Sequence, residues 1–208
     1  GLQNIIQVQL DVVHAILPFE IIFHTITDEG KIVDENKFSV ECFHVQHRVP
    51  CFGFLISEKK HLRKLDMEKI AAYDIPYSFY EHLSNGEDFY LPNGVCIKNE
   101  HLTRQNISPR QYAYCADTKF YPPIAEKIKH ADLLYHEATY LDNLRDRAID
   151  RFHSTSIQAA EIAGLASVKK LIIGHFSSKY ESLEEFLSEA IPVFPQTALA
   201  IEGVTFII

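Results

Sequence analysis

Past residue 110 the chain settles into one rhythm: a short apolar run, a polar cluster, a helix-like stretch, then another apolar run. That rhythm constrains the fold more than any other feature. Residues 112–115, 133–135, 171–173 and 197–201 read as strands, and the helices between them begin near Pro122, Asp142, Ser156 and Leu183. Strands that alternate with helices imply an α/β sheet with covering helices. Two helix starts carry capping boxes, Thr155 with Gln158 and Ser182 with Glu185, which satisfy amide donors left over in the first turn. Ser154 and Thr155 both read as capping hydroxyls.

The first half is organised differently. Residues 2–17 place Leu2, Ile5, Ile6, Val13, Ile16 and Leu17 on a helical stripe. Residues 19–26, 38–44 and 51–56 then read as three strands of an antiparallel meander, the first two split by Asp28-Glu29-Gly30. Residues 57–110 are polar and broken by Pro76, Asn85-Gly86, Asn93-Gly94 and Pro109, with short helices at 66–73 and 78–84. This stretch reads as an insertion or arm on a single domain spanning 1–208.

A net charge of −8 argues against indiscriminate nucleic-acid binding, so an RNA partner would need a local cationic patch. Lys59, Lys60, Arg63 and Lys64 supply one, although a solvated helix or loop face explains such a run equally plainly. Cys42, Cys51, Cys96 and Cys115 form no Cys-x-x-Cys pair, which suits a reducing cytoplasm. No apolar run approaches the ~20 residues of a membrane span.

Four polar clusters stand out, three of them at or beside the end of a short apolar run: Asp117-Thr118, His136-Glu137-Ala138-Thr139, His153-Ser154-Thr155 and His175-Phe176-Ser177. The carboxyl edge of an α/β sheet is where reactive side chains are presented. Asp117 can bridge two cations through its two oxygens, and His175, after a buried-strand pattern, can offer neutral imidazole to zinc. His153 stands ahead of a helix and can transfer a proton. Glu137 can orient it and raise its basicity. His47 ends another apolar run. In a strand it faces away from His44, so at most one of the two is a ligand, and His47 is preferred. Singly, each has a structural reading: a turn cap for Asp117, a core histidine for His175, a surface carboxylate for Glu137. Together they point to metal-assisted hydrolysis. Neither a Gly-x-Ser-x-Gly elbow nor a Gly-rich phosphate loop is present.

These segments resemble the second half of ribonuclease Z, the tRNA 3′-processing endonuclease family of the metallo-β-lactamase superfamily. The likeness runs from about Leu17 to Phe206. It rests on His47-Arg48-Val49-Pro50-Cys51-Phe52-Gly53-Phe54, Asp117-Thr118, Ala131-Asp132-Leu133-Leu134-Tyr135-His136-Glu137-Ala138-Thr139, His153-Ser154-Thr155 with Gln158-Ala159-Ala160, and His175-Phe176-Ser177-Ser178-Lys179-Tyr180.

The resemblance implies an α/β fold, an incomplete metallo-β-lactamase-like αββα sandwich made mainly of its second half, the meander and the arm. His47 resembles the family's ligand to a first zinc, Asp117 its bridging carboxylate and His175 its ligand to a second. His153 resembles the histidine that assists the leaving group, with Glu137 as partner. Ser177 and Lys179 resemble residues near the substrate phosphate. The family usually has Arg at the latter position, and Lys keeps the charge without the bidentate fork. Ala116 replaces a usual Gly. The arm that grips tRNA would fall after Gly53, which makes Lys59, Lys60, Arg63 and Lys64 candidate RNA contacts. The implied cofactor is Zn2+ as a pair of ions, the implied partner precursor tRNA, and the implied assembly a homodimer. The family's His-x-His-x-Asp-His run is absent. The chain is therefore expected to be the C-terminal part of a longer product, binding zinc weakly and inactive alone. Two other readings remain: a non-catalytic RNA-binding or interaction domain derived from the fold, and another metallo-β-lactamase-type phosphodiesterase.

Overall fold

The computed structural model describes residues 2–59, 62–106 and 108–208. Lys60, one of the candidate RNA contacts, lies outside the described residues. In chain order the elements are α1 (Leu2–Val12), β1 (Gly30–Asp34), β2 (Phe38–Val45), β3 (Cys51–Glu58), β4 (Lys64–Leu65), α2 (Met67–Ala72), α3 (Tyr80–Asn85), β5 (Phe89–Tyr90), β6 (Cys96–Ile97), α4 (Asn99–Leu102) and β7 (Thr103–Arg104). There follow β8 (Gln111–Cys115), α5 (Ile124–Lys127), β9 (Leu133–Glu137), α6 (Arg145–Arg151), α7 (Ser156–Ala166), β10 (Leu171–Gly174), α8 (Glu184–Ala190) and β11 (Thr197–Leu199).

One sheet runs in the order β1-β2-β3-β8-β9-β10-β11. The pairs β1–β2, β2–β3 and β3–β8 are antiparallel, whereas β8–β9, β9–β10 and β10–β11 are parallel. Two reversals give β2 the direction of β8. The carboxyl ends of β2, β8, β9 and β10 therefore lie along a single edge, and each is followed within a few residues by a polar cluster.

Strand alternation decides which face is covered. Phe43, Ala113, Cys115, Leu134, Leu171 and Ile173 turn toward α5, α7 and α8 and join Ile128, Ile162 and Phe186 in the main core. Each large side chain fully buried there stabilises the fold by roughly 1.5–3 kcal/mol. α7 buries residues on more than one side, and its alanines let α5 and α8 approach closely. The opposite face carries Phe52, Phe54, Ile56, Tyr112, Tyr114 and Tyr135, partly exposed, with Tyr114 stacked on Tyr135 at 4.9 Å. Two strand glycines make room for rings: a Cβ on Gly53 would meet Phe43 at 2.5 Å, and one on Gly174 would meet Tyr135 carbons at 2.8 Å. The close approach at Gly174 thus accommodates a tyrosine.

Between β3 and β8 a second small core gathers Ile70, Ile75, Leu83, Ile97 and Leu102. Buried Asp66 caps α2 and pairs with Arg104 at 3.1 Å. The Asn99 amide donates to the carbonyls of Leu83 and Glu87, both at 2.8 Å.

Three local expectations need correction. Residues 19–26 form no strand, and β1 starts at Gly30 instead, joined to β2 by a short loop in which the Glu35 N–H donates to the Phe38 carbonyl. Short hairpin loops are the favoured antiparallel connection, and this one outcompetes the apolar alternation upstream. α1 stops at Val12, and none of its residues is buried. Ser182 makes no capping box: α8 is preceded by Leu183 without a side-chain cap, and Ser182 Oγ only accepts the Glu184 N–H at 3.2 Å. The box at Thr155 and Gln158 has both bonds. Among the described residues no helix is long and apolar enough to cross a membrane.

Candidate metal centre

Glu137 ends β9, is fully buried, and is the hub of the sheet edge. It accepts the Thr118 N–H at 2.6 Å, the Thr139 hydroxyl at 2.6 Å, the His153 Nδ1–H at 2.9 Å and the Ser154 N–H at 3.1 Å. Burial pushes its pKa up, but hydrogen bonds from His153, Thr139 and the Ser154 amide, with the His153 charge, outweigh it and leave the pKa below its ordinary value. His153 shifts the other way: its bond to Glu137 raises its pKa against burial, the Glu137 and Asp117 charges add to the rise, and Arg48 opposes it. The pair is a buried carboxylate holding a histidine that takes up a proton readily. His153 Nε2 is the nitrogen left disengaged from Glu137.

His175 follows β10 and Asp117 follows β8, both with left-handed backbones, at φ 61° and 51°. For residues other than glycine such conformations cost on the order of 1–3 kcal/mol and persist only where the surroundings hold them. Here Thr118, next to Asp117, is tied to Glu137, and Thr139 bonds His175 Nδ1 at 2.9 Å. The Thr139 hydroxyl donates to Glu137, since a carboxylate has no proton to give, so it must accept from His175 Nδ1–H. His175 Nε2 faces Asp117 Oδ1 at 3.2 Å. In the neutral ring that nitrogen offers a lone pair which a divalent cation can share with the carboxylate, and in the protonated ring the same contact is an ion pair. His47 is held alike: its Nδ1–H donates to the Phe152 carbonyl at 3.0 Å, which leaves Nε2 available as the ligand atom. Such fixing of the tautomer through the remote nitrogen is usual for metal-binding histidines.

Ligand atoms of Asp117, Glu137, His153 and His175 lie within 4.8 Å of one another. Imidazole nitrogen with carboxylate oxygen suits a divalent metal, and this donor set can hold one. His47 stands beside this group, its ring 5.2 Å from that of His153, which in turn is 5.3 Å from His175. Ser177 donates its N–H to the Thr139 carbonyl, and Lys179 Nζ lies over the Tyr180 and Tyr140 rings at 4.4 and 5.7 Å. On the arm, Lys59 is paired with Asp34 at 2.9 Å, Arg63 Nε donates to Thr103 at 2.6 Å, and Lys64 lies exposed in β4. Ser154 does not cap α7: its hydroxyl donates to the Thr118 carbonyl at 2.7 Å. Thr118, Thr139 and the Phe152 carbonyl are parts of the centre that sequence reasoning missed. Only their position within or beside the polar clusters could have marked them.

The fold is that of the metallo-β-lactamase proteins. It matches human tRNase Z, short form, with a TM-score of 0.60 over 96% of this chain and 62% of that one at 23% identity. It also matches the metallo-β-lactamase fold protein YhfI of Bacillus subtilis with a TM-score of 0.54 over 83% of this chain and 50% of that one at 16% identity. No family model matches the chain. Ribonuclease Z of Bacteroides fragilis strain YCH46 is 40% identical over 205 residues, covering 98% of this chain and 67% of that protein. Ribonuclease Z of Parabacteroides distasonis is 41% identical over 196 residues, covering 93% of this chain and 64% of that one. The chain belongs to the ribonuclease Z family, and it spans about two thirds of the length of these relatives.

Proposed function

We propose that this chain is part of a zinc-dependent endoribonuclease that removes 3′ trailers from precursor tRNA by phosphodiester hydrolysis. The observation that carries the reading is the joining of two devices at one sheet edge: His175 Nε2 facing Asp117, and His153 held by buried Glu137. The names of the ribonuclease Z relatives and of human tRNase Z support the choice of RNA, and of tRNA within it.

In this reading Asp117, His175 and His47 hold the metal, which when bound supplies Lewis acidity and a water of lowered pKa. His153 donates the proton on Nε2 to the departing oxygen. Glu137 keeps Nδ1–H engaged, so the proton leaves from the other nitrogen, and its charge stabilises the imidazolium beforehand. Ser177 and Lys179 contact the substrate phosphate. Lys59, Lys60, Arg63 and Lys64 on the arm contact the tRNA body, for which Lys59 must loosen its bond to Asp34. The enzyme acts in the cytoplasm as a homodimer.

Zinc sites use three or four protein ligands each. Asp117, His175 and His47 are too few for a pair of ions, so the 208 residues alone are expected to bind zinc weakly and to leave precursor tRNA intact. Two tight sites per chain in a calorimetric zinc titration would overturn that expectation. The functional test is precursor-tRNA cleavage by the chain and by a fusion adding the part of a relative that bears His-x-His-x-Asp-His. Cleavage by the fusion, lost on His153→Ala, is expected. A fusion that binds zinc and precursor tRNA without cutting would instead mark a non-catalytic RNA-binding domain.

A further inference from the structure

Many cations of this acidic molecule are paired with carboxylates, among them Lys31, Lys98, Arg104, Arg110, Lys127, Arg145 and Lys169. Those at the rim of the candidate centre are held differently. Lys119 rests over the Phe152 ring at 5.2 Å, and its N–H donates to the Gln46 carbonyl, next to His47. On the other side, Arg147 and Lys179 lie over the buried Tyr140 ring at 5.9 and 5.7 Å, and that ring meets His153 edge-on at 6.3 Å. Arg48 is exposed and directly follows His47, whose ring lies 5.2 Å from that of His153. Among the described residues none of these four forms an ion pair. A cation seated on an aromatic ring keeps its N–H donors free for an incoming anion while its stem is held in place. In a chain of net charge −8, three such groups and Arg48 around one histidine make a local attraction for polyanions.

We propose that Arg48 and Lys119 on one side of His153, and Arg147 with Lys179 on the other, form a track that grips the phosphates flanking the scissile bond of a single-stranded RNA segment. The track rests on the endoribonuclease reading and adds to it Arg48, Lys119 and Arg147, and a direction for the strand across the centre. Phosphate contacts of this kind set register without reading sequence.

The test uses the whole chain without metal and a fluorescein-labelled single-stranded oligoribonucleotide of about 12 nucleotides, within the span of common single-strand sites. Binding is followed by anisotropy over a salt series for the parent chain, Lys119→Gln, Arg147→Gln and their double variant, with Lys31→Gln as an equal charge change far from the track. The slope of log affinity against log salt is expected to flatten by about 0.7 for each contact removed, and to stay unchanged in the Lys31 variant. If RNA binds and the track variants keep the parental slope while Lys64→Gln flattens it, the track is wrong and the endoribonuclease reading stands. If the chain binds no RNA even at low salt, the track falls, and the endoribonuclease reading is decided by cleavage with the fusion. A matching loss in the Lys31 variant also overturns the track, because it would show a response to net charge alone.

Discussion

At Glu137 the whole hydrogen-bonding arrangement of the centre can be tested by changing one functional group. Glu137→Gln keeps the shape but turns one oxygen into an N–H2 that faces existing donors, and it removes the charge that holds His153. Breaking a buried pair in this way typically costs about 3–5 kcal/mol, and urea unfolding should show a loss of that order. The pH dependence follows from the two shifts. Glu137 is depressed below 4.5, so its contribution is present above that value and is lost as pH falls through the lowered pKa. His153 is raised above 6.5, so its contribution is complete below that value and is lost as pH rises through the raised pKa. Their joint effect is greatest between about pH 4.5 and 6.5. Stability of the parent chain should decline on the alkaline side of that window, and Glu137→Gln should abolish this decline. An unchanged pH profile would count against the pairing. Thr139→Val tests the second device. It removes the hydroxyl between Glu137 and His175 while keeping the volume, and should cost about 1–3 kcal/mol. Nitrogen-15 spectra of the neutral His175 ring should change from one tautomer to a mixture. Asp117 and His175 were legible because each stands by the end of an apolar run, and His153 because it stands just ahead of a capped helix. Thr139 and Thr118 were not, because their roles depend on partners 36 and 19 residues away.

Elements were legible wherever local chemistry and the global sheet agreed. The parallel strands β8, β9 and β10 announce themselves as short apolar runs, and α7 by a capping box that is present in full. Residues 19–26 show the converse. They alternate as a strand should, yet strand pairing requires a partner edge, and β1 takes the edge of β2 because its loop is shorter. The two capping signatures allow a matched comparison, since only one is realised. Thr155→Ala should destabilise the chain by about 1 kcal/mol, within the usual 0.5–2, because the first turn of α7 loses a bonded cap in a buried setting. Ser182→Ala should stay within about 0.5 kcal/mol, as for a surface change that touches no special feature. Chemical denaturation of both variants checks the pair of values. Equal losses would mean that the box at Ser182 forms in solution after all.

On the scale of the whole molecule the sheet is asymmetric. Helices α5, α7 and α8 cover one face, and among the described residues no comparable helical layer covers the aromatic face of β3, β8 and β9. Alternation in the sequence identifies which residues share a face, but it cannot say whether that face is covered, since covering depends on elements far away in the chain. Tyr114 is 37% exposed in the middle of this sheet, and α1 adds Leu2, Ile5, Val8 and Val12 as further exposed apolar groups. Exposed apolar surface of this kind favours association. The chain should therefore bind the dye 1-anilinonaphthalene-8-sulfonate while keeping native circular dichroism, and sedimentation equilibrium should show mass rising with concentration. Replacing Phe54 and Tyr114 by serine, one on each of two paired strands, should weaken both signals together, because the two side chains face each other across the register. Dye binding without association would confine the face to small ligands. A monomer that binds no dye at any concentration would mean that other parts of the chain fold over the sheet in solution, and the uncovered face would have to be abandoned.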